Sequence, residues 1–157
     1  MVMRLRSATT VSLLLLVAVC SGCNHRRKSQ TVVVHLLRNL SSPYGSELDR
    51  RILDFQGNNP RLSAGQPITV ESETGDYQSM VDKENSGSED VDLIILDKAE
   101  DAKNSLVLQN ALAGAPNVCA ALKACPAVVP AIIPPQISGD SRQAAQKFVD
   151  FLQQKPS

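Results

Sequence analysis

Thr31-Val32-Val33-Val34-His35-Leu36-Leu37 is the stretch whose reading decides the fold. It is a nearly unbroken apolar run rich in β-branched residues. Such a run predicts a strand buried on both faces, as in a parallel sheet, rather than an alternating half-wet strand. Downstream, Asn39, Ser41, Ser42 and Pro43 break the chain, and Ser46 is placed to cap a helix. Leu48, Ile52 and Phe55 recur at i, i+4 and i+7, so residues 46–56 predict a helix with one buried face. Gly57-Asn58-Asn59-Pro60 stops it.

The same alternation repeats. Pro67 to Ser72 is a second strand. Thr74-Gly75-Asp76 opens a second helix, with Tyr77, Met80 and Val81 on one side. Residues 84–90 are a polar turn, and Val91 to Leu96 is a third, densely apolar strand. Residues 98–112 are weakly helical and end at Gly114 to Pro116. Ala127 to Pro134 is apolar but carries Pro130 and Pro134, which argue for an edge or irregular strand. Ser138 to Ser141 offers caps. Ala144, Ala145, Phe148, Phe151 and Leu152 stripe a last helix. Strands alternating with helices predict an α/β fold: a three-layer α/β sandwich with a mainly parallel sheet and right-handed crossovers.

Upstream lies a different kind of segment. Arg4 and Arg6 precede an apolar run from Val11 to Val19, with Leu13 to Leu16 at its centre. That run is too short for the roughly 20 residues of a spanning helix and suits an export signal. It closes with Val19-Cys20-Ser21-Gly22-Cys23, two small residues before a cysteine, and so resembles a bacterial lipoprotein signal. The resemblance implies that residues 1–22 are removed and Cys23 carries the lipid. Several acyl chains, which the resemblance also implies, anchor stably where one binds only marginally. Plain cleavage without lipid and an uncleaved anchor are the alternatives. Residues 23–30 then form a polar tether. His25, Arg26, Arg27 and Lys28 are solvated there, and each charge near an anionic headgroup surface adds about 1 kcal/mol of attraction. The expected location is the extracytoplasmic face of a cell membrane.

Residues 31–157 are one domain by size, with enough chain to bury a core. The chain has 16 basic and 16 acidic residues, and the leader takes Arg4 and Arg6, leaving 14 against 16. With no basic stripe, no Trp, two Tyr and three Phe, nothing points to nucleic acid as a partner.

Four cysteines reduce to two once Cys20 and Cys23 are set aside. An exported protein meets an oxidising compartment, so a Cys119–Cys125 disulfide is the leading reading. No His or third Cys lies between them to make a metal site, and no local base activates a thiol. No metal, cofactor or catalytic set is expected: no Ser-His-Asp order and no phosphate loop occurs, so the chain reads as a non-enzyme. His35 reads as a buried or edge-facing strand residue. The pairs Glu71/Glu73 and Asp90/Asp92 read as exposed strand carboxylates.

The element order is similar to one lobe of the extracellular solute-binding proteins that serve bacterial importers, of the type 2 periplasmic class. The first strand, Glu47 to Pro60, Ile68 to Ser72 with Gly75-Asp76-Tyr77, Glu89 to Leu96 and Gln143 to Leu152 carry the resemblance, about half of residues 23–157. It implies a small-molecule solute as ligand and an ABC transporter permease as partner. Only about 30–45 residues separate the third strand from the last strand and helix, too few for a second lobe, so a single lobe is expected. In open α/β sheets ligands sit beyond the carboxyl ends of the strands. That edge carries Ser41, Ser42 and Tyr44 after the first strand, Thr74, Asp76 and Tyr77 after the second, and Asp97 after the third. Ser41, Ser42, Tyr44, Thr74, Asp76 and Tyr77 are therefore the candidate ligand-binding residues, with hydroxyls and helix-start N–H groups suited to small polar ligands. Glu73 and Asp76 would favour a cation, amine or sugar over an anion. The competing reading makes Ser46 and Thr74 helix caps and the remainder ordinary loop.

Overall fold

The computed structural model describes residues 30–87, 90–97, 112–122, 125 and 128–154. Its elements are β1 (Val32–Asn39), α1 (Ser42–Gly57), β2 (Ile68–Thr74), α2 (Tyr77–Asn85), β3 (Leu93–Leu96), β4 (Ala131–Ile132) and α3 (Gly139–Gln153), with a 3-10 turn at Cys119–Ala121. The fold is mixed α/β with a four-stranded open sheet in the order β2-β1-β3-β4. β1 runs parallel to both neighbours, pairing Val32 with Ile68 and Leu36 with Leu93. β4 is antiparallel to β3, with Ile94 opposite Ile132. Pro130 and Pro134 bracket β4 closely, which explains why it is only two residues long: proline donates nothing to a ladder.

Most of the core lies on one face of the sheet. Val34, Leu36, Ile68, Val70, Leu93 and Ile95 meet Leu48, Ile52 and Phe55 of α1 and Ala144, Ala145, Phe148 and Leu152 of α3. The apolar spacing read from the sequence thus points both helices inward. Phe55 contacts Phe148 with ring centroids 5.0 Å apart and Phe151 at 5.3 Å, both tilted, a favoured aromatic geometry. Each fully buried side chain of this size contributes roughly 1.5–3 kcal/mol relative to exposure. A smaller cluster of Leu37, Val91, Ile94, Leu96 and Ile132 lies on the opposite face, met by Val81 of α2, Leu112 and Ala115. β3 is buried at every position because it serves both clusters.

Three sequence expectations shift. α1 begins at Ser42, four residues before the expected start, because Pro43 sits in its first turn, where a preset φ and a missing N–H cost nothing. Ser46 is therefore no cap; its hydroxyl donates to the Ser42 carbonyl one turn back. β1 is not buried on both faces: the His35 side chain is 49% exposed, since nothing described covers that part of the second face. Asp92 is not an exposed carboxylate but only 3% exposed. Its Oδ2 accepts the His35 N–H at 2.8 Å while its own N–H donates to the His35 carbonyl. The side chain extends the β1–β3 ladder by imitating a strand carbonyl. The helix expected over residues 98–112 lies outside the described residues except for Leu112.

One residue clasps the two inner helices. Arg51 on α1 is 5% exposed. Its guanidinium donates to the Phe151 and Gln154 carbonyls and stacks 4.3 Å from the Phe151 ring centre. A cation at the carbonyl end of α3 complements both the unpaired acceptors and the helix dipole. Helical spacing marks position 51 as inward, but a charge there needed the end of α3 to accept it.

Candidate functional site

The connections leaving β1 and β2 set the geometry of the carboxyl edge. β1 passes through α1 to β2 on one side, and β2 passes through α2 to β3 on the other. α1 packs on the first face and Val81 of α2 on the second. The strand order therefore switches between β1 and β3, and such a switch is where open α/β sheets place ligands. Arg38 lies opposite Thr74 and Asn39 opposite Leu96, so the segments after all three strands emerge at the same edge. The structure brings Ser41, Ser42, Tyr44, Thr74 and Asp76 to that edge.

Most of these groups already have work. Ser41 precedes α1 with extended backbone and does not cap it with its side chain. Instead its N–H donates to Asp97 Oδ2 at 2.6 Å, and its hydroxyl makes a very short hydrogen bond to the same oxygen. The Asp97 N–H donates to the Asn39 carbonyl, which locks the two loops across the switch point. A carboxylate thus occupies the donor groups that an incoming anion would use. Ser42 is the exposed first residue of α1, and Tyr44 is partly buried against the main core.

On the second strand, Thr74 is exposed and ends β2 without capping α2. The cap is Asp76, whose Oδ1 accepts the Ser79 N–H at 2.7 Å and the Ser79 hydroxyl at 2.8 Å. Those bonds, the backbone one foremost, hold the Asp76 carboxyl below the usual aspartate range. Gly75 donates its N–H to the Arg38 carbonyl at 3.0 Å. A Cβ at this position would lie 2.7 Å from Leu37 Cδ1, so a side chain here would have to push the tip of Leu37 aside. The Tyr77 side chain lies outside the described residues.

Three described concavities lie elsewhere. One of about 200 Å³ runs along the open sheet face past His35, Glu71, Glu73, Lys83 and Asp90. A second, of about 510 Å³, lies beside Arg51, Leu53 and Phe151. A third, of about 390 Å³, lies at the amino ends of β1 and α3 beside His35, Gln66, Asp92 and Asp140. Ser41, Ser42, Tyr44, Thr74 and Asp76 line none of these three. Among the described residues no group of three His, Cys, Asp or Glu could hold a metal ion.

Cys119 and Cys125 form a disulfide with Cα atoms 5.6 Å apart, and both pack against the main core. Asn117 braces this loop: its Oδ1 accepts the N–H groups of Cys119 and Val129, each at 3.0 Å. The signal segment, Cys23 and the basic tether lie outside the described residues, and no helix among the described residues is long and apolar enough to cross a membrane. Asp92 and Arg51 escaped the sequence reading as structural keys, and Asp97 was placed at the edge without its partner Ser41. Alternation along a strand marks which way Asp92 points, but not the backbone N–H it finds there.

Family models, curated proteins and solved structures give no match to this chain.

Proposed function

We propose that the chain is an exported lipoprotein, held to a membrane through Cys23, whose α/β domain is a single solute-binding-type lobe serving transport. The observation that supports this best is the polar carboxyl edge at the strand-order switch, on a domain preceded by a segment whose sequence reads as an export signal. The ligand is a small polar solute reached by Ser42, Thr74 and Tyr77, and the partner is a membrane permease of the ABC importer class. One lobe alone does not enclose a solute, so capture would be completed against the partner. A second reading has its own support: Ser41 and Asp76 spend their polar groups on Asp97 and Ser79. In it the chain is a structural or regulatory lipoprotein that keeps the lobe and has lost the ligand.

Thermal shift of the full chain against sugars, amino acids and oxyanions separates the two. A rise in Tm with one ligand, lost in a Ser42→Ala, Tyr77→Ala variant, supports capture. No response across the panel, with a membrane protein co-purifying stoichiometrically, supports the second reading. Cys23→Ser tests the anchor: the protein should move from the membrane to the soluble fraction, and unchanged membrane association overturns lipid attachment at Cys23.

A further inference from the structure

β2 lies at the end of the sheet, and only the start of its outer rim is covered. Its ladder with β1 alternates. The Pro67 carbonyl accepts the Val32 N–H at 2.8 Å, and the Gly75 N–H donates to the Arg38 carbonyl at 3.0 Å. Thr69, Glu71 and Glu73 therefore turn their backbone groups toward β1, while Ile68, Val70, Ser72 and Thr74 turn theirs outward. The outward Ile68 N–H is taken by the Pro60 carbonyl at 2.9 Å. Over residues 70–74, nothing among the described residues meets the outward N–H and C=O groups. Proline, bulges and shortness blunt many edges, but β2 runs seven residues with its register unbroken. Charge is the device that remains.

That charge has one sign. Glu71 and Glu73 are exposed and share the second face. Glu71 has only His35 near it, at 3.9 Å, and Glu73 has no ion pair among the described residues. With Asp90 they line the concavity of about 200 Å³, where Lys83 is the only Lys or Arg. A second copy of β2 laid antiparallel about Ser72 would set Glu71 against Glu73 in both directions, and like charges directly opposite destabilise. A strand with basic residues at alternate positions reverses the sign of that interaction.

We propose that residues 70–74 are a docking edge for an extended basic segment of a partner protein, which joins the four-stranded sheet beside β2. The outward backbone groups of Val70, Ser72 and Thr74 supply the affinity, as in other strand-addition complexes. Glu71 and Glu73 choose the partner, each lying opposite a Lys or Arg, with one residue between the two bases. That intervening residue lies opposite Ser72, where a small hydroxyl or β-branched side chain pairs well. The inference goes beyond the transport reading. It needs neither a solute nor a lipid anchor, so the two stand or fall separately.

The test titrates the detergent-solubilised full chain with a dye-labelled peptide of alternating lysine and threonine. A peptide of alternating glutamate and threonine is the control. Binding is followed by fluorescence anisotropy and by hydrogen exchange at the Val70, Ser72 and Thr74 amides. Ser72→Pro removes an outward donor that the sheet does not use, and an edge strand tolerates proline at such a position. Glu71→Lys with Glu73→Lys reverses the charge at two exposed positions and leaves every backbone donor in place. Saturable binding of the lysine peptide with slowed exchange at those amides, weakened about tenfold or more by Ser72→Pro, supports the edge. A change of preference to the glutamate peptide in the charge-reversed variant supports the choice of partner. Binding that leaves the amides unprotected, or that Ser72→Pro does not weaken, is charge attraction alone and overturns the proposal. So do equal binding of the two peptides, no binding of the lysine peptide, and a charge-reversed variant that still prefers lysine.

Discussion

The two faces of one sheet are built to different standards. The first is sealed by α1 and α3, with Val34, Leu48, Phe148 and Leu152 wholly inaccessible. The second has a small apolar cluster near α2 and β4, then opens onto His35, Glu71 and Glu73. Val34 and His35 are adjacent on β1, yet one is 0% exposed and the other is an open side chain. Stability therefore resides mainly on one face, and the other is free to carry polar and charged groups at little cost. Charges on Glu71 and Glu73 also guard β2, an edge strand whose outer hydrogen-bonding groups would otherwise invite another chain.

The sharpest way to break this comparison is Phe148→Ala. The side chain sits between the sheet and Phe55, so truncation leaves a cavity in the sealed face and should cost about 3–5 kcal/mol in urea unfolding. A cost under about 1 kcal/mol would mean that the first face is not the stabilising one. The disulfide comes next. Cys119→Ser with Cys125→Ser frees a short loop packed on the same core, and the chain-entropy argument gives a loss of about 2 kcal/mol. Intact mass before and after reduction checks the bridge first, since it should rise by two hydrogens, about 2 Da.

Asp76 tests the edge rather than either face. Its carboxyl is held low in the folded state, so its contribution is fully present above the ordinary aspartate value and is lost as pH falls through the depressed one. Asp76→Ala should therefore lower Tm at neutral pH, and the gap from the parent should close in acid. A gap that persists in acid would sink the cap as its cause. Smallest of all is Glu71→Ala on the open face, expected within about 0.5 kcal/mol of the parent in the same urea assay. A loss beyond about 1 kcal/mol would show that the second face is more than a polar surface.

How much was legible beforehand follows from these regions. The sealed face was read well. Leu48, Ile52 and Phe55 at helical spacing, and Ala144, Phe148 and Leu152 in α3, all turn inward, because apolar periodicity and burial obey the same geometry. Pro130 and Pro134 marked β4 as poor strand for a local reason that held. The start of α1 was missed because Ser41-Ser42-Pro43 serves equally as a loop or as a helix opening, and only the docking of the whole helix decides which. The edge was read in part: its residues do converge, but their partners were not visible. Ser41 meets Asp97 across 56 positions and His35 meets Asp92 across 57, and no local pattern encodes such pairs.

By itself, then, the sequence determined the α/β alternation and the inward helix faces and made Cys119 with Cys125 the leading pair, because each depends on short-range spacing and side-chain chemistry. The tertiary structure alone decided that, among the described residues, α1 and α3 cover one face of the sheet while the other is buried near α2 and β4 and exposed at His35, Glu71 and Glu73. It also decided that Asp97 and Asp92 spend a carboxylate on backbone N–H groups from distant strands, and that Arg51 reaches the end of α3. These depend on which strands become neighbours, and strand neighbours are chosen by the packing of the whole chain.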